Sequence, residues 1–187
     1  MTMRSLKGQL LLDGGKLADT EFHRTVVLIC KHDAEGAFGL VLNRPSEHKV
    51  GRALDDPLPE PVKHLSVFLG GPVQPQAMSC LIHDPTDNDP SESQVIPNLR
   101  LIHDLDDLLE AKEDFLSRSQ FKFFAGYAGW SPGQLDNEMK QGAWLTHPAT
   151  IDLVFHLQPQ ELWKQILLTK GLQYRLLAEA PDDASRN

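Results

Sequence analysis

Residues 25–45 read TVVLICKHDAEGAFGLVLNRP, and the pairing of this stretch decides the fold. Two apolar runs, the first rich in β-branched residues, flank the short polar segment 32–36, so the pattern predicts two strands joined by a hairpin turn. A parallel crossover needs a dozen or more residues, far more than HDAEG offers, so the pair is antiparallel. Pro45 stops the second run.

Upstream, Gly8–Leu12 is a further strand, separated from the hairpin by the loop DGGKLADTEF (13–22). Downstream, residues 46–64 are polar and proline-rich, with room for one short helix around Val50–Leu54. LSVFLGG (65–71) and AMSCLIH (77–83) read as strands, and DPTDNDPSESQ (84–94) as an exposed loop. VIPNLRLIH (95–103) supplies strand edges broken at Pro97. A helix is predicted over Leu105–Ser117, where Leu105, Leu108, Leu109, Phe115 and Leu116 recur on one face. FKFFAGY (121–127) and TIDLVFHL (150–157) read as strands, and Ser131 opens a helix. Gln160–Lys170 is a helix bracketed by Pro159 and Gly171. Strands mostly precede helices, which favours α+β over a wound parallel sheet. The expectation is a single domain over 1–180, mainly antiparallel, carrying about three to four helices, with a frayed tail at 181–187.

A chain of 187 residues with 41% hydrophobic and 24% charged side chains can bury a sizeable core without disulfide or metal staples. Its formal net charge of -8 and the lack of any Lys/Arg run argue against a phosphate-backbone partner, so direct nucleic-acid binding is not expected. Cys30 and Cys80 sit in separate apolar runs without a CxxC partner, as buried reduced thiols do. No apolar run approaches the roughly 20 residues of a membrane span, and the N-terminus lacks a signal-peptide core. A cytoplasmic location without membrane contact follows as the expectation.

Candidate chemistry is sparse. His-Asp occurs at 32–33, 83–84 and 103–104, each time closing an apolar run. Adjacent strand residues face opposite sides, so a metal site would need several of these ends to converge. Neither GxSxG, GxxxxGK[ST] nor GxGxxG is present, and no cofactor or metal is expected. Asp136 and Glu138 lie two apart on their helix and read as solvating groups near its start, not as an acid/base pair. Arg44, at a strand end beside Asn43, could hold a carboxylate or another anion. In GYAGWSPGQLDNEM (126–139), Ser131 and Gln134 fit an S-x-x-Q capping box with Pro132 at the first helical position. Gly126 and Gly129 would then turn the preceding strand sharply into that helix, with Trp130 wedged at the corner.

Three blocks resemble the YqgE/AlgH family: GQLLLDGGKLADTEFHRTVVLICKHDAEGAFGLVLNRP (8–45), FLGGPV (68–73) with LIH (81–83), and GYAGWSPGQLDNEM (126–139) with AWL (143–145). They occur in the family's order and span about residues 8–171. The resemblance implies a bent or bifurcated sheet forming a pseudo-barrel. It also brings the label of transcriptional regulator, through an association with alginate regulation, which here implies at most an indirect role. One departure stands out: Asp13-Gly14-Gly15 replaces an Ala-Met-Pro-like step after the first strand.

Two functional readings follow. A non-catalytic domain would bind an unidentified small molecule or protein at a pocket built from Asn43, Arg44, Gly70, Gly71, Pro72, His83, Gly126, Gly129, Trp130, Ser131 and Gln134. An enzyme would use His83 or His32 as general base and Arg44 as anion clamp. The binding reading is favoured, because the sequence offers glycines for close backbone approach and no catalytic motif.

Overall fold

A computed structural model describes residues 4–18, 20–54, 58–87, 90–109 and 111–180; the tail expected at 181–187 lies outside them. The expected hairpin forms from β2 (Val26–Asp33) and β3 (Gly36–Val41), with Asp33 opposite Gly36 and a shift of register around Cys30. β1 (Gln9–Asp13) pairs antiparallel with β2 and, on its other edge, with β10 (Trp144–Pro148). Both faces of this half are covered, which is why its strands read as unbroken apolar runs. Leu10, Leu12, Leu28 and Leu40 point to one cluster, and Leu11, Val27, Ile29 and Val41 to the other.

The second half is built on β6 (Val73–His83) and β9 (Gln120–Trp130), antiparallel along most of their length. β8 (Leu99–Ile102) and β7 (Gln94–Ile96) extend the far side of β6, turning at Pro97-Asn98. Among the described residues the sheet has ten strands, eight of them in the order β10-β1-β2-β3-β9-β6-β8-β7 and two branching from this path. It curls so far that a Cβ on Gly8, just before β1, would sit 2.9 Å from Ile96 Cγ2 in β7.

The two halves divide at β9. One edge of β9 holds β6, while its other edge is shared. β5 (Ser66–Leu69) pairs parallel with residues 123–125, and β3 takes over at 128–130. The changeover forces backbones together. A Cβ on Gly70 would lie 2.3 Å from the Gly126 carbonyl oxygen, and one on Gly71 2.2 Å from the Tyr127 carbonyl carbon. Gly126 has φ +70, which lets β9 bend there and continue to Trp130. The expected sharp corner is thus a bend within one strand.

Helices seal both sides. α6 (Pro159–Leu168) adds Leu162, Trp163, Ile166 and Leu167 to the cluster within the curl. α5 (Gln134–Lys140) covers the opposite face with Leu135 and Met139. Val50 of α1 (Val50–Ala53), Val62 of α2 (Glu60–Lys63) and Leu108 of α3 (Asp106–Leu109) pack on Cys80, Ile82 and Phe123. Both cysteines are free, and burial pushes both thiols up. Among the described residues no helix is long and apolar enough to cross a membrane.

Several expectations change. The α+β class holds, but the helices are more numerous and shorter than anticipated. The helix predicted over 105–117 is two pieces, α3 and α4 (Glu113–Arg118), and α4 buries no residue. Polar Pro45–Lys49 is a strand, β4, because it pairs with β5 as an exposed edge where Pro is tolerated. Loop 84–94 is not wholly exposed: Asp84 is buried, with Arg118 bridging both its oxygens at 3.1 Å. That guanidinium pulls the Asp84 carboxyl down to about 2. A short α7 (Arg175–Glu179) follows α6.

TIDLVFHL is a π-helical turn, Asp152–His156, and not a strand. Thr150 Oγ1 accepts the Leu153 N–H, a cap that starts helix. The Lys122 ammonium donates to the Val154 carbonyl at 2.9 Å and lies 4.2 Å from the Phe68 ring. Lys122 is 8% exposed, and burial lowers its pKa to about 8. The unfolded chain keeps this proton up to about pH 10.4. Between pH 8 and that value the unfolded state binds more protons, so stability rises with pH. The two buried thiols act oppositely from about pH 8.5 upward but are common to both proteins of a pair. Lys122→Met is therefore expected to lose stability relative to wild type as pH rises from about 8 to 10, read as the difference between their urea midpoints; parallel pH profiles would contradict the assignment.

Candidate functional site

The loop between β1 and β2 is folded around one carboxylate. Asp13, fully buried, accepts the backbone N–H of Gly15 (2.7 Å) and Leu17 (3.2 Å) on Oδ1 and of Arg24 (3.0 Å) on Oδ2. His23 Nδ1 lies 3.6 Å from Oδ2, and Trp163 Nε1 donates to the Asp13 carbonyl. The departure at Asp13-Gly14-Gly15 therefore braces the loop from within, its carboxylate satisfied by backbone donors.

Asn43 ties this loop to the end of β3. Its Oδ1 accepts the Val26 N–H and its Nδ2 donates to the Arg24 carbonyl, both at 2.9 Å. Arg24 adopts φ +52, donates to the Ala180 carbonyl and stacks 5.0 Å over the Trp163 ring. Arg44 Nη2 donates to the His23 carbonyl at 2.6 Å, and the side chain is otherwise exposed. Between the loop, the β3 end, α6 and α7 lies a cavity of about 630 Å³, lined by His23, Arg24, Asn43, Arg44, Trp163 and Lys164, with Glu161 and Glu179 also on its wall. A second cavity of about 250 Å³ is lined by Phe22, Val41, Leu69, Gly71 and Pro72, with Glu21. Arg44 belongs to both.

Asn43, Arg44, Gly71 and Pro72 are thus brought together. The other sequence candidates lie elsewhere. Gly70 and Gly126 face each other's backbones, so these two glycines admit strands and not a ligand. Gly129 pairs with Phe38 inside the sheet. Trp130 donates its indole N–H to Glu138 Oε2 at 2.9 Å, and Trp144 donates to the same oxygen at 2.8 Å. Gln134 Nε2 donates to Glu138 Oε1. Glu138, read from the sequence as a solvating group, is instead the carboxylate that fixes α5 to both tryptophans.

The capping box forms by half. Gln134 Oε1 accepts the Ser131 N–H at 3.1 Å, but the Gln134 N–H goes to the Ser131 carbonyl, not its hydroxyl. Gly133 sits in the left-handed region at φ +71 and starts the helix later than the motif suggests.

His83 ends β6, opposite Gln120, whereas Pro72 and the Arg44 cavity precede its start, which pairs with Tyr127, a separation of roughly 20 Å along β9. His83 Nδ1 meets Gln120 Oε1 at 3.2 Å; Gln120 Nε2 meets His156 Nε2, whose Nδ1 lies 2.7 Å from Asp152. His32 accepts the Leu6 N–H on Nδ1 and lies 3.6 Å from Asp136, so its basic lone pair is already used. The pairing of either histidine with Arg44 as base and clamp is not formed. His103 packs edge-on against Phe38. Two of the three His-Asp ends meet, His32-Asp33 and His103 lining one cavity of about 580 Å³, but His83 does not join them, and among the described residues no group of three or more His, Cys, Asp or Glu could hold a metal ion.

The loop, glycine junction and paired tryptophans all rest on the three sequence blocks, and a family model described as AlgH-like matches residues 10–175. The chain belongs to the AlgH-like family. A UPF0301 protein of Chlorobium luteolum is 35% identical over 182 residues, covering 96% of this chain and 93% of the relative. One from Idiomarina loihiensis is 37% identical over 185 residues, covering 96% and 98%. The solution structure of the AlgH protein from Pseudomonas aeruginosa matches with TM-score 0.70 at 29% identity, covering 97% of this chain and 98% of that one. A crystal structure from Corynebacterium diphtheriae, at 20% identity and TM-score 0.71 over 96% and 95%, shares the fold. The AlgH-like fold is thus the curled, divided sheet described above.

His23, Arg24, Trp163 and Lys164 were not legible as site residues. The only signal was a Trp-Lys step on the third predicted helix, which reads equally as core plus surface.

Proposed function

We propose that this AlgH-like chain is a non-catalytic binding domain that takes a small anionic molecule in the cavity beneath Arg44. The supporting observation is the cavity wall: Arg24, Arg44 and Lys164 gather there with His23 in a chain of formal net charge -8. Cationic groups outnumber the two carboxylates on the same wall, and Arg44 keeps most of its guanidinium donors for a ligand. Arg24, already bonded and stacked, contributes charge and shape. Among the described residues no base–nucleophile pair is assembled on this wall, which favours binding over catalysis.

The test is calorimetric titration with inorganic phosphate and with acetate. Millimolar or tighter binding is expected, with Arg44→Gln and Lys164→Gln each weakening it about tenfold, the scale of one charge-assisted hydrogen bond. Absence of binding by both anions, or binding that both variants leave unchanged, would overturn the reading.

A further inference from the structure

We infer that the ligand is an amphiphilic carboxylate, its head held by Arg44 and its apolar tail laid in the groove of Phe22, Val41, Leu69 and Pro72. This rests on the anion-binding reading above and names its ligand class.

The groove and the cationic cavity are two chambers with one shared side chain, Arg44. The groove has about 250 Å³ and an apolar floor, and Leu69 is 52% exposed although it belongs to a β-strand. An exposed large aliphatic on a strand beside a guanidinium is an arrangement that water serves poorly and an amphiphile serves well. Val41 and Leu69 come from the two strands that exchange places on β9, and the Gly70-Gly71 step between them lets their backbones meet: the Val41 N–H bonds to the Gly70 carbonyl. The groove is therefore set by the rigid junction of the sheet and is present without ligand. Arg44 spends one donor on the His23 carbonyl, which fixes the guanidinium at the boundary between chambers. Its remaining N–H groups match a carboxylate as a planar fork, and a tail leaving that carboxylate towards Leu69 meets only the groove. A purely inorganic anion would leave the groove wet; an uncharged chain would leave the guanidinium unused.

Titrating the protein with octanoate, acetate and octanol separates these cases. Octanoate is expected to bind at least about tenfold more tightly than acetate, the gain from burying two to three methylenes. Leu69→Ser should remove that gain while leaving acetate and phosphate binding in place, and Arg44→Gln should weaken all three anions. Both residues are exposed, and matching melting midpoints confirm that the variants fold. Equal affinity for acetate and octanoate, or an octanoate gain that survives Leu69→Ser, overturns the amphiphile but leaves the anion site standing. Octanol binding as well as octanoate, without dependence on Arg44, overturns both, as does the absence of any binding.

Discussion

Gly71→Ala is expected to leave the protein without a stable native state. The added Cβ would lie 2.2 Å from the Tyr127 carbonyl carbon, 2.3 Å from its oxygen and 2.4 Å from the Ala128 nitrogen. All three are backbone atoms of the strand that joins the two halves, so nothing flexible can move aside. The residue also sits at φ +151, which an L side chain rarely adopts. A loss of about 4 kcal/mol or more is expected, against a total of about 5–15 kcal/mol for an ordinary domain. The measurement is near-ultraviolet circular dichroism and urea unfolding beside a matched control, Gly133→Ala. Gly133 also has positive φ, +71, but a Cβ there meets nothing within 4 Å. The control should lose only the left-handed backbone cost, about 1–2 kcal/mol. Similar midpoints for the two variants would refute the crowding argument.

The second large effect is expected at Asp13→Ala. Three backbone N–H groups converge on this carboxylate in a fully buried setting. Each donor left unpaired costs about 1–3 kcal/mol, so a loss of about 3–5 kcal/mol is expected in urea unfolding. Asp13→Asn, which keeps the shape and one accepting oxygen, should fall between. Because the same carboxylate shapes the loop carrying His23 and Arg24, Asp13→Ala should also weaken anion binding near the native state. A change below about 1 kcal/mol would show that the loop stands without it.

The hairpin at 25–45 was legible because two local signals agree there: a short polar turn and flanking apolar runs, the first rich in β-branched residues. TIDLVFHL was misread because eight apolar-rich residues fit a strand or a helical turn equally. What decided it was Thr150 as a cap and Lys122 waiting across the fold. At Ser131, the motif promised a hydroxyl cap, but Gly133 took the left-handed conformation and let the Ser131 carbonyl accept instead. Gly70, Gly71 and Gly126 are positions where each other's strand approaches closely, whereas a Cβ on Gly129 would meet only the Tyr127 and Val73 side chains. The candidate site was half legible. Asn43 and Arg44 stood out at a strand end, yet their companions come from the β1–β2 loop and from α6, and only the curl of the sheet unites them. Glu138 escaped because its two indole partners flank it on different elements.

The distribution of indoles gives this AlgH-like protein a pair of built-in optical probes. Of its three tryptophans, Trp130 and Trp144 share the Glu138 carboxylate, while Trp163 lies beneath Arg24 on the wall of the large cavity. Emission from the first pair follows the seating of α5, and emission from Trp163 follows what enters beside it. Replacing Trp163 by Phe leaves only the first signal, so the difference between the two spectra isolates the cavity. Unlabelled protein can thus report the seating of its helical cover and, by comparison with the Trp163→Phe variant, the surroundings of the cavity wall.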